Sequence, residues 1–348
     1  MKMLITGMIC GILLGFVLQR GRFCVVGAYR DIILSKKFTV FVAIFIAIFI
    51  QSVGVFLLEN SGIIKVNHEP FFWLATILGG IVFGFGMVLA GGCATGTWYR
   101  SGEGLIGSYI ALLFYMLGAA MVKFGVLKPI NENLKSYQIQ DSTIYQSLGV
   151  SPLVLIVILF FIVCLLVYRE LKKPKLKIAR LSAKKTGISH WLFEKSWHPF
   201  VSAILVGLIA ILAWPLSYAT GREFGLGITT PSANIIGFLT AGNIDLIDWG
   251  VFLVLGIFIG SFIAAKGSNE FKFRLPDKKT LGQNAFGGLL MGFGASLAGG
   301  CTIGNGLVET AIFSYQGWVA MLCFFIGSSI ATYVMIIRPS KLALKTKS

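Results

Sequence analysis

The stretch GGIVFGFGMVLAGGCATG, Gly79 to Gly96, decides the architecture, because it returns almost intact as GGLLMGFGASLAGGCTIG, Gly287 to Gly304. The two align without a gap and agree at eleven of eighteen positions. Upstream, Gly21-Arg22-Phe23-Cys24 has a partner in Gly221-Arg222-Glu223-Phe224. Each half therefore reads as an apolar span, a Gly-Arg segment, a second span, a third ending in Gly-Gly-Cys, and a fourth.

Working outward, apolar runs near the ~20 residues that cross a bilayer fall at about 3–19, 38–58, 71–91, 104–126 and 151–169. Four more fall at about 199–217, 248–265, 284–300 and 314–337. The fold class expected is an all-α polytopic membrane protein of about nine transmembrane helices plus short re-entrant helices. Residues 1–126 form the first repeat, 127–198 a linking span with a basic loop, and 199–348 the second repeat, all in a single membrane domain 1–348. The linking fifth span forces the second half to insert upside down. Inverted repeats of this kind build transporters, with the substrate site at their interface near the midplane.

Composition agrees. The chain of 348 residues is 56% hydrophobic and 13% charged, with a mean hydropathy of +0.84; soluble domains carry about 25% charge. Its net charge of +16 sits in short loops between apolar runs, which argues against nucleic acid and for contact with membrane lipid. With the N-terminus outside, all but six of the 30 basic residues (Lys2, Lys65, Lys123, Lys128, Lys135 and Arg222) fall in inside loops. The positive-inside rule then places the N-terminus outside and the C-terminus in the cytoplasm of a bacterial inner membrane. The apolar N-terminus lacks a small-residue cleavage site and reads as the first span.

Cys93 and Cys301 occupy equivalent positions, each in Ala-Gly-Gly-Cys with a glycine three residues on. Broken backbone is tolerated at membrane depth where it is buried in protein or lines a polar cavity. Glycines let main-chain N–H groups converge on a ligand, and the following helix presents its positive end. Gly92, Ala94, Thr95 and Gly96, with Gly300, Thr302, Ile303 and Gly304, thus form two anion cradles. One copy alone is as well explained by tight helix packing; two symmetric copies favour a site. A neutral thiol is a soft, weakly donating contact, suited to a sulfur-terminated anion that must bind and leave. Such transport expects the thiols to be protonated.

Cys24, behind Arg20 and Arg22, is a third contact on the inner side, although arginines there also serve as ordinary anchors. Its counterpart Phe224 has no thiol, so the relay is asymmetric. Cys10, Cys164 and Cys323 read as buried packing residues, and Gly7, Gly11 and Gly15 as a helix-packing stripe. Arg22, Arg222, Glu103 and Glu309 are accessory candidates for admission, gating or proton coupling, with helix capping the plainer reading for the glutamates. Asp245 and Asp248 are further coupling candidates. His68, His190 and His198 have no metal-ligand spacing, so neither a metal nor another cofactor is expected.

At these residues the chain resembles the YeeE/YedE family of membrane proteins. The matching stretches are GRFC with VVGAYRD, LAGGCATGTWYRSGEG, ELKKPKLK, FEKSWHPF, GREFGLGIT and LAGGCTIGNG, spread over nearly the whole chain. The resemblance implies thiosulfate uptake through an hourglass of two inverted halves, past three cysteines that map onto Cys301, Cys93 and Cys24. It also implies a small cytosolic sulfur carrier of the TusA type as a partner. Related branches are linked to selenium or other sulfur species.

A transporter is expected here, not an enzyme. The alternative is a membrane sulfurtransferase forming a persulfide on Cys93 or Cys301, which needs an activating base or a lowered pKa; no histidine lies near either motif. A soft-metal transporter would want methionine or histidine partners.

Overall fold

The computed structural model describes residues 2–173, 186–195 and 197–345. Residues 174–185 and 196 of the basic 169–198 connection, including part of ELKKPKLK, lie outside the described residues. Among them the chain is helical, with no strand beyond isolated bridges. The first half contains α1 (Lys2–Gly21), α2 (Val25–Ser35), α3 (Thr39–Asn60), α4 (Trp73–Leu89), α5 (Ala94–Gly102) and α6 (Ile106–Lys123). The link holds α7 (Lys128–Lys135), α8 (Ile144–Leu148), α9 (Pro152–Leu171) and the short α10 (Gly187–Ser189). The second half holds α11 (Pro199–Tyr218), α12 (Thr229–Ala241), α13 (Trp249–Gly267), α14 (Lys278–Leu297), α15 (Tyr315–Thr332) and the terminal α16 (Arg338–Lys345).

Polar caps fix where the long helices begin. Ser151, Asp248, Asp277 and Ser314 accept main-chain N–H bonds at the starts of α9, α13, α14 and α15, satisfying donors that a helix leaves unpaired. Proline occupies the first turn of α9 and α11, where its missing N–H costs nothing.

Eight of the described helical segments are long and apolar enough to cross a membrane. The ninth expected span, 284–300, falls short of that number. It lies in α14, which matches the others with 20 residues but starts earlier and carries Lys278, Lys279, Gln283 and Asn284 in its first two turns. Helix α14 packs between α4 and α6, so Asn284 and its later glycines meet protein, while Lys278, Lys279 and Gly282 at its start are exposed.

Helix pairings recur between the halves. Helix α1 packs on α13 as α3 packs on α11; α6 packs on α14 as α15 packs on α4; α12 meets α6 as α2 meets α15. Helices α4 and α14 run antiparallel at the centre, Gly79 lying against Ala298 and Gly86 against Met291. The glycine stripe of α1 makes the parallel α1–α13 contact: a Cβ on Gly7 would sit 2.7 Å from the Trp249 carbonyl, and Gly11 lies against Leu253 and Gly256. Glycine there admits a backbone approach that alanine would block.

These contacts separate two faces. The amino-terminal face gathers the start of α1, residues 123–143, 218–230 and 241–249, and the 299–315 segment. The opposite, carboxyl-terminal face gathers the ends of α1, α9 and α13, the starts of α3, α11 and α14, and α16. Helix α9 lies at the periphery with Leu153 and Phe161 each 66% exposed, a surface for lipid. Cys164 is on that surface and exposed, so it is not the buried packing residue expected; Cys10 and Cys323 are buried.

Candidate functional site

The duplicated glycines build two similar turns. Helix α4 ends at Ala90, Gly91 adopts φ +70°, and Cys93 begins α5 with its Sγ accepting the Gly96 N–H at 3.3 Å. Helix α14 ends at Ala298, Gly299 adopts φ +76°, and Cys301 leads into a π-helical turn, Gly304–Glu309. Both positive φ values favour glycine. Cys24 occupies the third break, between α1 and α2, behind Arg22 with φ +46°.

The turns are braced differently. Asn305 donates its amide N–H groups to the carbonyls of Ala298 at 2.7 Å and Gly300 at 3.0 Å, and accepts from Gln316 Nε2 at 3.4 Å. At the first turn Arg100 takes this part. One guanidinium nitrogen donates to the Gly91 carbonyl, and the other reaches Cys24 Sγ at 3.8 Å.

Cys24, Cys93 and Cys301 are 6%, 3% and 1% exposed. The Cys24 and Cys93 thiols are neighbours, and the Thr302 hydroxyl, carried by the other half, also faces Cys93. The Thr229 hydroxyl and the N–H groups of Ile303 and Gly304 face Cys301. Thr229 is in turn held by Tyr115, whose hydroxyl donates to Thr229 Oγ1 at 3.0 Å. Oγ1 of Thr95 and of Thr302 are buried without a hydrogen-bond partner. Such groups cost free energy unless a ligand or water meets them.

A polar cavity of about 380 Å³ opens at the amino-terminal face and ends at Gly299, Gly300, Cys301 and Gly304. Near Cys24 and Cys93 the corresponding space is a pocket of about 20 Å³ lined by Gly27, Arg30, Gly91 and Arg100. Of these two spaces, the one that ends on Cys301 is much the larger.

Of the sequence-derived residues, Gly300 and Gly304 line the cavity with Cys301, while Gly92, Ala94 and Gly96 are buried about Cys93. The accessory residues scatter. Arg222 lines the cavity but pairs with Asp248 at 3.3 Å, while Glu223 bonds Asn67, so these two neighbours serve separate contacts. Glu309 lines the same cavity. Arg22 is largely exposed at the carboxyl-terminal face and pairs with Glu270 at 3.2 Å. Glu103 follows α5 as its C-cap residue, with Oε1 buried and unpartnered. Asp245 lies in an exposed loop. Sequence reasoning treated Arg100 and Lys123 as loop charges and passed over Thr229. Position seven residues after Cys93 was the available signal for Arg100, one turn too far for the motif.

Comparison with known proteins follows the same motifs. Residues 20–330 match the family described as Sulphur transport. The thiosulfate transporter TsuA of Escherichia coli (strain K12) is 54% identical over 342 residues, 98% of this chain and 97% of that protein. The thiosulfate transporter TsuA of Spirochaeta thermophila is 33% identical over 358 residues, 97% of this chain and all of that protein. The probable transporter YedE of Escherichia coli is 31% identical over 120 residues, 34% of this chain and 29% of that protein. The chain belongs to the sulphur-transport family, the YeeE/YedE group of membrane proteins.

Proposed function

We propose that this protein imports thiosulfate across the bacterial inner membrane, through two inverted halves that meet at the Gly-Gly-Cys turns. The anion enters the cavity at the amino-terminal, periplasmic face and meets Cys301 with the N–H groups beside it. It passes to Cys93 and leaves past Cys24 to the cytoplasmic face. The observation that carries this reading is the polar cavity ending on Cys301, with the other two buried thiols beyond it. The recurring helix pairings and the antiparallel α4–α14 contact support the inverted halves, and the two full-length TsuA relatives support the substrate. Weak S–H and N–H contacts hold the anion without trapping it, so no covalent step is needed. A TusA-like carrier on the cytoplasmic side is the partner expected to take up the imported sulfur.

Labelled-thiosulfate uptake in cells lacking other importers tests the pathway. Cys93→Ala and Cys301→Ala are each expected to lower uptake at least about tenfold, roughly the 1.4 kcal/mol of one decade, at normal membrane levels. Full uptake by the double variant would sink the thiol path. The adjacency of Cys24 and Cys93 favours one second reading, a persulfide relay. There a thiolate attacks the outer sulfur of thiosulfate, the sulfur–sulfur bond breaks, and sulfite leaves with the electron pair. Intact-protein mass after exposure separates the two, since a persulfide adds the mass of one sulfur atom.

A further inference from the structure

We propose that Lys123 is an anion-docking site beside Cys301, holding the oxygen end of a doubly charged sulfur oxyanion while the thiol meets its outer sulfur. This deepens the thiosulfate reading and rests on it.

The register of two helices places the lysine. Helices α6 and α14 run parallel, and Gly107 lies against Asn284, Gly288 against Ala111, and Gly292 against Tyr115. Ser296 Oγ then donates to the Ala119 carbonyl at 3.5 Å, a separation of 177 residues. All four pairs share that separation and advance by four residues, the spacing at which one helix face repeats. Lys123, the last residue of α6, lies one turn beyond Ala119, at the level where α14 ends and the Gly299–Cys301 turn begins. Both Lys123 and Gly300 line the cavity.

Partners single out the same residue. Three cations line the cavity: Lys123, Lys135 and Arg222. Arg222 is committed to Asp248 at 3.3 Å and to the Gly225 carbonyl at 2.8 Å. Lys135 sits over the Phe72 ring, 5.2 Å from its centroid. The Lys123 ammonium has no ion pair or hydrogen bond among the described residues, and Glu69 is the carboxylate whose charge reaches it. Glu69, Glu223 and Glu309 line the cavity as well, so its net charge does not draw an anion inward. A local cation without an ion pair adds to the attraction of the main-chain N–H groups beside Cys301. An ammonium is a point charge with three donors, suited to sulfonate oxygens, and the opposing carboxylates keep the hold weak enough for release.

The test is the concentration dependence of labelled-thiosulfate uptake at matched membrane levels. Lys123→Gln is expected to raise KM about tenfold with Vmax within about twofold, since a charge-assisted hydrogen bond to the anion is lost. Lys123→Arg is expected to keep KM within about threefold, and Lys128→Gln, on an exposed α7 residue of the same face, to leave it unchanged. A Lys123→Gln KM within twofold of the natural protein, or an equal shift in Lys128→Gln, overturns the site. If Lys123→Gln fails to reach the membrane, Glu69→Gln decides: loss of that carboxylate is expected to lower KM two- to threefold, and an unchanged KM overturns the proposal. No thiosulfate uptake by the natural protein would instead fell the transport reading.

Discussion

The two glycine–cysteine turns share a sequence and a backbone course, yet one is braced by a neutral amide and the other by a guanidinium. Asn305 is fully buried and spends its whole side chain on the turn: two carbonyls and Gln316. Arg100 is partly exposed, spends one nitrogen on the Gly91 carbonyl and extends the other to Cys24. The turn beside the wide cavity is thus fixed internally, whereas the turn beside the small pocket is tied to another helix break. A duplicated motif keeps its fold while its supports diverge, and the divergence marks the second turn as rigid and the first as able to change partners.

The largest effect that tests this contrast is on stability. Asn305→Leu strands two buried carbonyls and one amide, at about 1 kcal/mol or more each, so a loss of about 3 kcal/mol is expected in a thermal-unfolding midpoint measured in detergent. Arg100→Met leaves the Gly91 carbonyl where water can reach it, and a loss of about 1 kcal/mol is expected. Uptake should fall further in Arg100→Met than its stability loss implies. If Arg100→Met were the costlier for folding, the contrast between a rigid and a switchable turn would be reversed.

A second pair of regions sharpens the comparison at the helix level. The α1–α13 contact brings backbone to backbone: Gly11 faces the Leu253 carbonyl, and Gly260 faces Ile12. In the matching α3–α11 contact, Gly54 faces the side chain of Ile211, and a Cβ on Gly207 would sit 2.9 Å from Ile50. A main chain cannot step aside, while an isoleucine end can rotate. Gly11→Ala is therefore expected to cost about 2 kcal/mol, within the 1–3 usual for overpacking, and Gly54→Ala about 1 kcal/mol or less. Equal midpoints for the two variants would show that the pseudo-equivalent contacts are equally tight.

The spans, the repeat and the thiols were legible because each is local in sequence. An apolar run, an eighteen-residue duplication and a Gly-Gly-Cys turn carry their meaning without distant partners. Arg100 and Lys123 were not, since as single cations they look the same as any loop charge. The contacts of Arg100 and the proposed role of Lys123 depend on which other cations are already paired and on the α6–α14 packing. Helix α14 starts earlier than its apolar run because Asp277 caps an exposed polar first turn ahead of the part that α4 and α6 cover, and hydropathy along the chain does not record caps or neighbours. The exposure of Cys164 likewise follows from the peripheral place of α9, which an apolar run does not announce.

The smallest expected effect lies at the opposite rim, where the carboxyl-terminal face is tied by Glu270. Its carboxylate accepts from Gln19 Nε2 at 2.7 Å and pairs with Arg22 at 3.2 Å and Arg20 at 3.5 Å. Partial burial alone would raise this carboxyl, but the Gln19 bond and the two arginines more than offset it and hold it below the usual carboxylate range. A depressed folded-state pKa stabilises the protein above the unfolded value, and that contribution is lost as pH falls through the folded value. The window is therefore acidic, starting near the ordinary glutamate range of about 4.3 and extending below it. Because Glu270 is about one-third exposed, solvent screens the pair and the contribution is at most about 1 kcal/mol. Glu270→Gln should lower the unfolding midpoint slightly at neutral pH and flatten its decline in acid. The Arg222–Asp248 pair on the other face provides the control: if Glu270→Gln leaves the acid decline as steep as before, the α1–α13 end is held by glycine packing alone, and the two faces differ less than their charges suggest.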